Sequence, residues 1–369
     1  MMVENVSTLL LTGFLGSGKT TLLRNLLTRP GFHDTAIIVN ELGEIGIDHH
    51  LLSFAAERTI VMPGGCICCT IREDIETALR ELFAARDAGR IQPFSRLVIE
   101  TTGIADPVPL LMTLRANPLA LSRLAEPRVL TIVDGVLGGD TIAQYHEAES
   151  QVAQADIVVI SKSDLASRDR VEALERRVAD LNPWASIRAA NLMAEPLDHL
   201  FAEGGFEPTS GRDLTDWVSG RQNGRARTEH AHGHDGVQAF CLTLENRLDW
   251  NGFAVWMTML LHRHGNRILR VKGMLDVDGL PGPTMFQSAQ HLVHPPLHFD
   301  SWPSADRRSR LVFILRDIDP SLIEASIRAF DRAARNLAPA SGLYRPAGGG
   351  GTIAGRPIRR PTAPSWIKG

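Results

Sequence analysis

The stretch Thr8-Leu9-Leu10-Leu11-Thr12-Gly13-Phe14-Leu15-Gly16-Ser17-Gly18-Lys19-Thr20-Thr21 decides how this chain folds. Leu9–Leu11 is apolar on successive residues rather than alternate ones, the pattern of a strand covered on both faces. Gly13–Thr20 matches the phosphate-loop pattern G-x-x-x-x-G-K-[ST], and a helical segment, Lys19–Thr28, follows. Strand, glycine-rich turn and helix in that order are what phosphate binding needs. Gly13, Gly16 and Gly18 let backbone amides turn inward around phosphates, with Ser17 between them and Thr21 just beyond. Lys19 supplies a point charge at the β- and γ-phosphates, Thr20 a hydroxyl for Mg²⁺, and the helix N-terminus its dipole.

Outward from this loop, apolar runs alternate with amphipathic stretches as far as Phe206. The runs Thr8–Thr12, Thr35–Asn40, Arg96–Glu100, Arg128–Asp134, Ile157–Ser161 and Ser186–Ala190 read as buried parallel strands. Helices are expected near Lys19–Thr28, Arg72–Gly89, Asp106–Leu114, Asp140–Ala155 and Arg168–Leu181. The expectation for 1–206 is an α/β P-loop NTPase domain, its sheet mostly parallel with helices on both faces. Residues 207–236 are rich in Gly, Arg and His and poor in large apolar residues, and read as a flexible linker. A smaller α+β domain is expected over 237–340, with strands at Val237–Leu244, Ile268–Val277, Thr284–Leu292 and Arg310–Leu315. Its helices are expected at Trp250–His264 and Ser321–Leu337. Residues 341–369, with a four-glycine run, prolines and basic residues, read as a disordered tail.

A second nucleotide element should be an acidic residue ending a buried strand. Leu97-Val98-Ile99-Glu100 fits, followed by Thr101-Thr102-Gly103. Glu100 would organise Mg²⁺ through water, and the Gly103 amide would bond and report a γ-phosphate. Later, Ser161-Lys162-Ser163-Asp164 resembles the N-K-x-D element of GTPases. Asp164 can accept two hydrogen bonds from guanine, which adenine cannot offer, and the Lys162 stem can pack over the base. Ser161 in place of Asn loses the side-chain amide that normally braces such a site. Guanine is the better reading; an adenine-nucleotide kinase is the competing one.

Three of the four cysteines fall in Cys66-Ile67-Cys68-Cys69, behind the turn Pro63-Gly64-Gly65 and ahead of the helical stretch from Ile71. Three thiolates leave a fourth tetrahedral position for another side chain, water or a receiving protein, which suits a site that releases its ion. Soft ligands of this kind suit Zn²⁺ and Cu⁺, and the residues do not choose among metals. Buried structural cysteine and a redox switch are the competing readings. Cys241, alone in a strand, reads as core. Asn40–Asp48 lies where a first switch would be, and Glu41 is a carboxylate available to Mg²⁺ or to the second metal.

Composition sets outer limits. A net charge of -3 gives no ground for nucleic-acid binding. No stretch reaches the roughly 18 consecutive apolar residues of a membrane helix. No basic n-region with a cleavage site is visible near the N-terminus, and clustered thiols point to a reducing compartment, so a cytoplasmic protein is expected.

Taken in order, these motifs resemble the CobW-like family of metallochaperone GTPases. The stretches that carry the resemblance are Gly13–Thr21, Asn40-Glu41-Leu42-Gly43-Glu44, Gly65–Cys69, Glu100–Gly103, Leu269–Met274 and Arg310–Ile314. Leu42 departs from a frequent Phe, and Ser161 from the usual Asn. The resemblance implies slow GTP hydrolysis, with Lys19, Thr20 and Glu100 in the catalytic centre, coupled to delivery of zinc or cobalt. Its partner would be a client metalloprotein or a metal-cofactor pathway enzyme, and a homodimer is compatible. A nucleotide-regulated metal buffer or sensor is the alternative. His230, His232 and His234 fit the histidine-rich linkers of such relatives as well as they fit an ordinary polar loop. No catalytic glutamine or arginine finger is evident.

Overall fold

The computed structural model describes residues 5–40, 59–62, 70–191, 201, 230–231, 236–302 and 305–337. In the first domain the elements run β1 (Ser7–Thr12), α1 (Lys19–Thr28), β2 (Thr35–Asn40), β3 (Thr59–Met62), α2 (Thr70–Asp87) and β4 (Arg96–Glu100). They continue with α3 (Val108–Ala116), α4 (Pro118–Arg123), β5 (Arg128–Asp134), α5 (Gly138–Gln144), α6 (His146–Gln154), β6 (Ile157–Ser161), α7 (Arg168–Leu181) and β7 (Ser186–Ala189). Among the described residues the strands form one sheet in the order β3-β2-β4-β1-β5-β6-β7, every pairing parallel. β1 lies at its centre, and Leu9, Leu10 and Leu11 are fully buried. Leu9 and Leu11 pack with Leu22 and Leu26 of α1 on one face, and Leu10 with Leu79 and Leu82 of α2 on the other.

The chain leaves β1 toward β2 and β3, whereas after β4 it crosses to β5, β6 and β7. That reversal puts the C-terminal ends of β4, β1 and β5 beside one another, at the crevice where parallel sheets bind ligands. The register is Leu11 opposite Glu100, Thr12 opposite Thr131, and Asp134 opposite Ser161, so these residues share one edge.

The second domain comprises β8 (His230–Ala231), β9 (Val237–Leu244), α8 (Trp250–His264), β10 (Ile268–Leu275), β11 (Thr284–Ala289), β12 (Leu292–Val293), β13 (Leu297–His298), β14 (Ser309–Arg316) and α9 (Pro320–Leu337). Its sheet is antiparallel, in the order β12-β11-β10-β14-β9-β8 with β13 also on β11. Phe240, Leu242, Val271 and Phe313 turn to α8 and α9, burying Phe253, Trp256, Ile323 and Ile327. Ile314, Val237 and Leu269, the last at an irregularity in the register of β10, join Val152 of α6 and Val178 of α7, so the two domains share a hydrophobic cluster. Polar bonds flank it: Gln154 Nε2 donates to Leu269 O (2.6 Å), Arg316 pairs with Glu149 (3.2 Å), and Arg270 pairs with Asp156.

Several expectations need correction. The single helix expected over Asp140–Ala155 is two, because Tyr145 adopts extended backbone and lays its ring on Phe14, centroids 4.6 Å apart. α3 starts later than expected, since Pro107 caps it and the Asp106 carboxylate accepts from the Val108 amide (3.0 Å). α4, which went unread, is short and starts on an Asn117 cap followed by proline. β3, also unread, is only four residues long and pairs on the outer side of β2. Within the expected linker, His230–Ala231 pairs with Phe240 and Ala239, satisfying backbone groups on the outer edge of β9. The rest of 207–235, and 338–369, lie outside the described residues.

Candidate functional site

The loop after β1 is built by its glycines. Gly13 has φ +141°, and a Cβ there would stand 2.4 Å from Ile132 O and 2.8 Å from Ser17 Oγ, so no side chain fits. Gly16 and Gly18 also have positive φ. α1 opens on Gly18 with no side-chain cap and no acidic residue in its first turn, leaving its first amides to an external anion. Lys19 folds back over the loop, Nζ donating to Gly13 O (2.7 Å) and more weakly to Phe14 O (3.4 Å). It is 8% exposed. Burial lowers its pKa, while the Glu100 carboxylate pulls it back up. Thr20 is exposed and Thr21 half-buried.

Glu100 ends β4, 6% exposed, level with the last turn of chain before the loop. The next residue stays attached to β1: the Thr101 amide donates to Leu11 O (2.9 Å) and its hydroxyl to Thr12 Oγ1 (2.9 Å). The chain then passes so close to the phosphate loop that a Cβ on Gly103 would meet Leu15 N at 2.8 Å and Leu15 Cδ2 at 2.6 Å. A movement of Gly103 therefore has to be felt by the loop. From behind, the Gln151 side-chain amide donates to Gly103 O (3.2 Å) and Ala105 O (3.0 Å).

At the end of β6 the Ser161 hydroxyl donates to Ser17 O (2.6 Å), with Val133 O at 3.3 Å. The brace expected to be lost with asparagine is thus made by the shorter hydroxyl, because β6 lies near enough to the loop for it to reach. Lys162 adopts φ +53° and extends Nζ to Gly16 O (2.8 Å) and to Asp134 Oδ2 (2.6 Å). Asp134 ends β5, and its Oδ1 also accepts from the amides of Val136 (2.7 Å) and Leu137 (3.0 Å). Burial pushes this carboxyl up, but the Lys162 bond and the two amides outweigh it and hold the pKa below the usual range. Asp164 is exposed at the same end of the sheet. Beside the loop, on the side of α5 and α6, a cavity of about 470 Å³ is lined by Phe14, Leu15, Asp134, Leu137, Tyr145 and Gln151 among others.

Gly13, Gly16, Ser17, Gly18, Lys19, Glu100, Gly103 and Lys162 thus converge at one end of the sheet, and the loop presents amides and a cation to an anion. Cys66, Cys68, Cys69, Glu41, His232 and His234 lie outside the described residues. His230 sits in β8. Among the described residues no group of three His, Cys, Asp or Glu is placed to hold a metal ion, and no helix is long and apolar enough to cross a membrane. Cys241 is half-buried beside Trp184, Met274, Met285 and Val312. Sequence reading missed Asp134 and Gln151. Asp134 had a signal, an acid closing an apolar run; Gln151 had none, since a glutamine inside an amphipathic helix looks like surface.

A model of the CobW/HypB/UreG nucleotide-binding domain matches residues 7–188, and one of the cobalamin synthesis protein CobW C-terminal domain matches 237–331. The zinc chaperone YjiA of Escherichia coli (strain K12) is 33% identical over 313 residues, covering 84% of this chain and 93% of its own length. The zinc chaperone CobW of a Sinorhizobium species is 26% identical over 350 residues, covering 86% of this chain and 95% of its own. Among solved structures, the Zn(II)-bound YjiA GTPase from E. coli is similar with a TM-score of 0.67 and 27% identity, with 88% of this chain and 99% of that one covered. The two matched models follow the two sheets, and the likeness to YjiA runs through both. The chain therefore belongs to the CobW/HypB/UreG family, in the form that carries a CobW C-terminal domain.

Proposed function

We propose that this protein is a GTPase metallochaperone: it binds and hydrolyses GTP and couples that cycle to holding and handing over a transition metal, zinc before cobalt. What carries the reading is the phosphate loop, with Lys19 curled over Gly13 and Glu100 at its side, in a chain one-third identical to a protein named as a zinc chaperone. Lys19, the Gly16–Gly18 backbone and the first turn of α1 hold the β- and γ-phosphates. Lys162 stiffens the loop through Gly16 O, and Asp164 reads guanine. The Thr20 hydroxyl and Glu100 carboxylate are hard oxygen donors, a set that suits Mg²⁺. Bound there, the ion would neutralise charge on the phosphate oxygens during transfer to water.

The metal cargo is assigned to the thiolates of Cys66, Cys68 and Cys69, between the first switch and Glu100, with Glu41 as an additional carboxylate. Hydrolysis to GDP and phosphate releases Gly103 and with it the geometry of the thiolates, and the metal passes to a client metalloprotein. The test is GTP turnover by the full chain and by its Cys66/Cys68/Cys69→Ser variant, each with and without zinc. The expected result is a zinc-dependent rate in the wild type alone; equal rates in all four would sink the coupling. Zinc affinity that is identical with GDP and with a non-hydrolysable GTP analogue would favour a metal buffer instead.

A further inference from the structure

Gln151 of α6 is buried to 0% exposure in the middle of a helix, a polar side chain with no access to water. Its backbone is held by the sheet, the Thr131 hydroxyl donating to Gln151 O (2.9 Å). Its side-chain NH₂ spends both hydrogens on the segment after β4, at Gly103 O (3.2 Å) and Ala105 O (3.0 Å). Its Oε1 has no hydrogen-bond partner among the described residues. Burying half an amide without a partner is costly. A glutamine kept here on those terms is kept for its two donors.

Those donors act on a narrow target. They fix the peptide groups that follow Gly103, while Leu15 of the phosphate loop stops Gly103 from the other side. The far end of the segment is fastened too, because Asp106 Oδ2 accepts from Gln290 Nε2 of the second domain (3.0 Å). α6 itself is tied to that domain through Gln154 and Glu149. The segment that would meet a γ-phosphate is therefore hung from one helix rather than left to find its own path.

We propose that Gln151 is a positioning residue for the triphosphate-bound state: by holding the Gly103 and Ala105 carbonyls it sets Gly103 where a γ-phosphate can be told from its absence. The inference rests on the GTPase reading above. Gln151 does not reach the reacting atoms; it acts through the backbone it holds.

The experiment measures the affinity of full-length wild type and of Gln151→Met for a non-hydrolysable GTP analogue and for GDP, both with Mg²⁺. Methionine keeps the volume and removes the donors. Affinity for the analogue should fall about thirtyfold, the loss expected of two ordinary hydrogen bonds, while GDP affinity stays within about twofold. A residue that only supports the fold would shift both nucleotides alike, and that outcome overturns the proposal. If Gln151→Met does not fold, Gln151→Asn keeps the amide but not the reach, and the same selective loss is required of it. A wild type that binds neither nucleotide overturns the GTPase reading and this inference with it. A variant that still separates the two nucleotides as the wild type does overturns this inference alone.

Discussion

Two buried lysines sit about as deep in this molecule, Lys19 at 8% exposure and Lys272 at 7%. Burial depresses both, and a neighbouring carboxylate, Glu100 for one and Asp156 for the other, pulls each back toward charge. Their surroundings differ. Lys19 faces a loop of positive-φ glycines and an uncapped helix end, so the charge that would complete its environment has to come from a ligand. Lys272 lies at the domain seam, 5.9 Å over the Trp184 ring and near the Arg270–Asp156 pair, so its environment is completed by protein. A buried cation points to an anion site where backbone amides beside it also lack an acceptor, as at the uncapped start of α1.

The comparison can be broken most directly by replacing each lysine with methionine. Lys19→Met should weaken GTP binding by about a hundredfold or more, as loss of a charge-assisted phosphate contact would. Lys272→Met should leave it within about twofold. Titration with a fluorescent GTP analogue reads both. Comparable losses in the two variants would show that the seam also governs the nucleotide site.

The seam should show itself in stability instead. At the seam, burial pushes the Asp156 carboxyl up, but Arg270 and Lys272 outweigh it and bring its pKa from 3.8 down to about 2. Asp156→Asn leaves two cations buried without their counter-charge and should cost about 3 kcal/mol in denaturant unfolding. Lys272→Met removes a cation whose burial penalty exceeds its attraction to Asp156, since its pKa falls from 10.5 to about 8. It should be neutral or stabilising at neutral pH. The pH dependence follows by sign. The depressed carboxyl contributes stability that is whole above about pH 4 and is lost as pH falls toward 2. The depressed lysine weighs against the fold below pH 8, so stability should rise from pH 8 to 10.5. Wild-type unfolding that shows neither slope would refute the seam electrostatics.

The two regions were not equally legible. β1, β2, β4, β5 and β6 could be read because strands buried on both faces are continuous apolar runs between turns. The phosphate loop could be read because phosphate chemistry dictates both residue type and spacing. β3 was missed, as a four-residue strand has too little pattern to stand out. The break at Tyr145 depends on Phe14, over a hundred residues earlier, and no local signal records it. The roles of Gln151, Gln154, Asp156, Arg270 and Gln290 leave no local signal, because their partners are distant in the chain. Chemistry with fixed spacing shows in the sequence; chemistry assembled across a domain seam does not.

Ser161 sharpens the comparison at its smallest scale. Serine in place of the usual asparagine was expected to lose the side-chain amide that normally braces such a site. The hydroxyl does the bracing instead, at 2.6 Å from Ser17 O and in a fully buried position. Ser161→Ala should leave Ser17 O without that donor and loosen the loop near Gly16, where Lys162 holds it. One ordinary hydrogen bond is worth about 1 kcal/mol, so nucleotide affinity should fall about fivefold. Ser161→Thr, which keeps the hydroxyl, should recover most of it. The decisive readout is whether GDP and a GTP analogue weaken together. The brace acts on the loop that binds both, unlike Gln151, whose effect is expected on the triphosphate alone. A Ser161→Ala loss confined to the triphosphate would mean that the brace and the switch are one device, and that the loop is not the rigid half of the site.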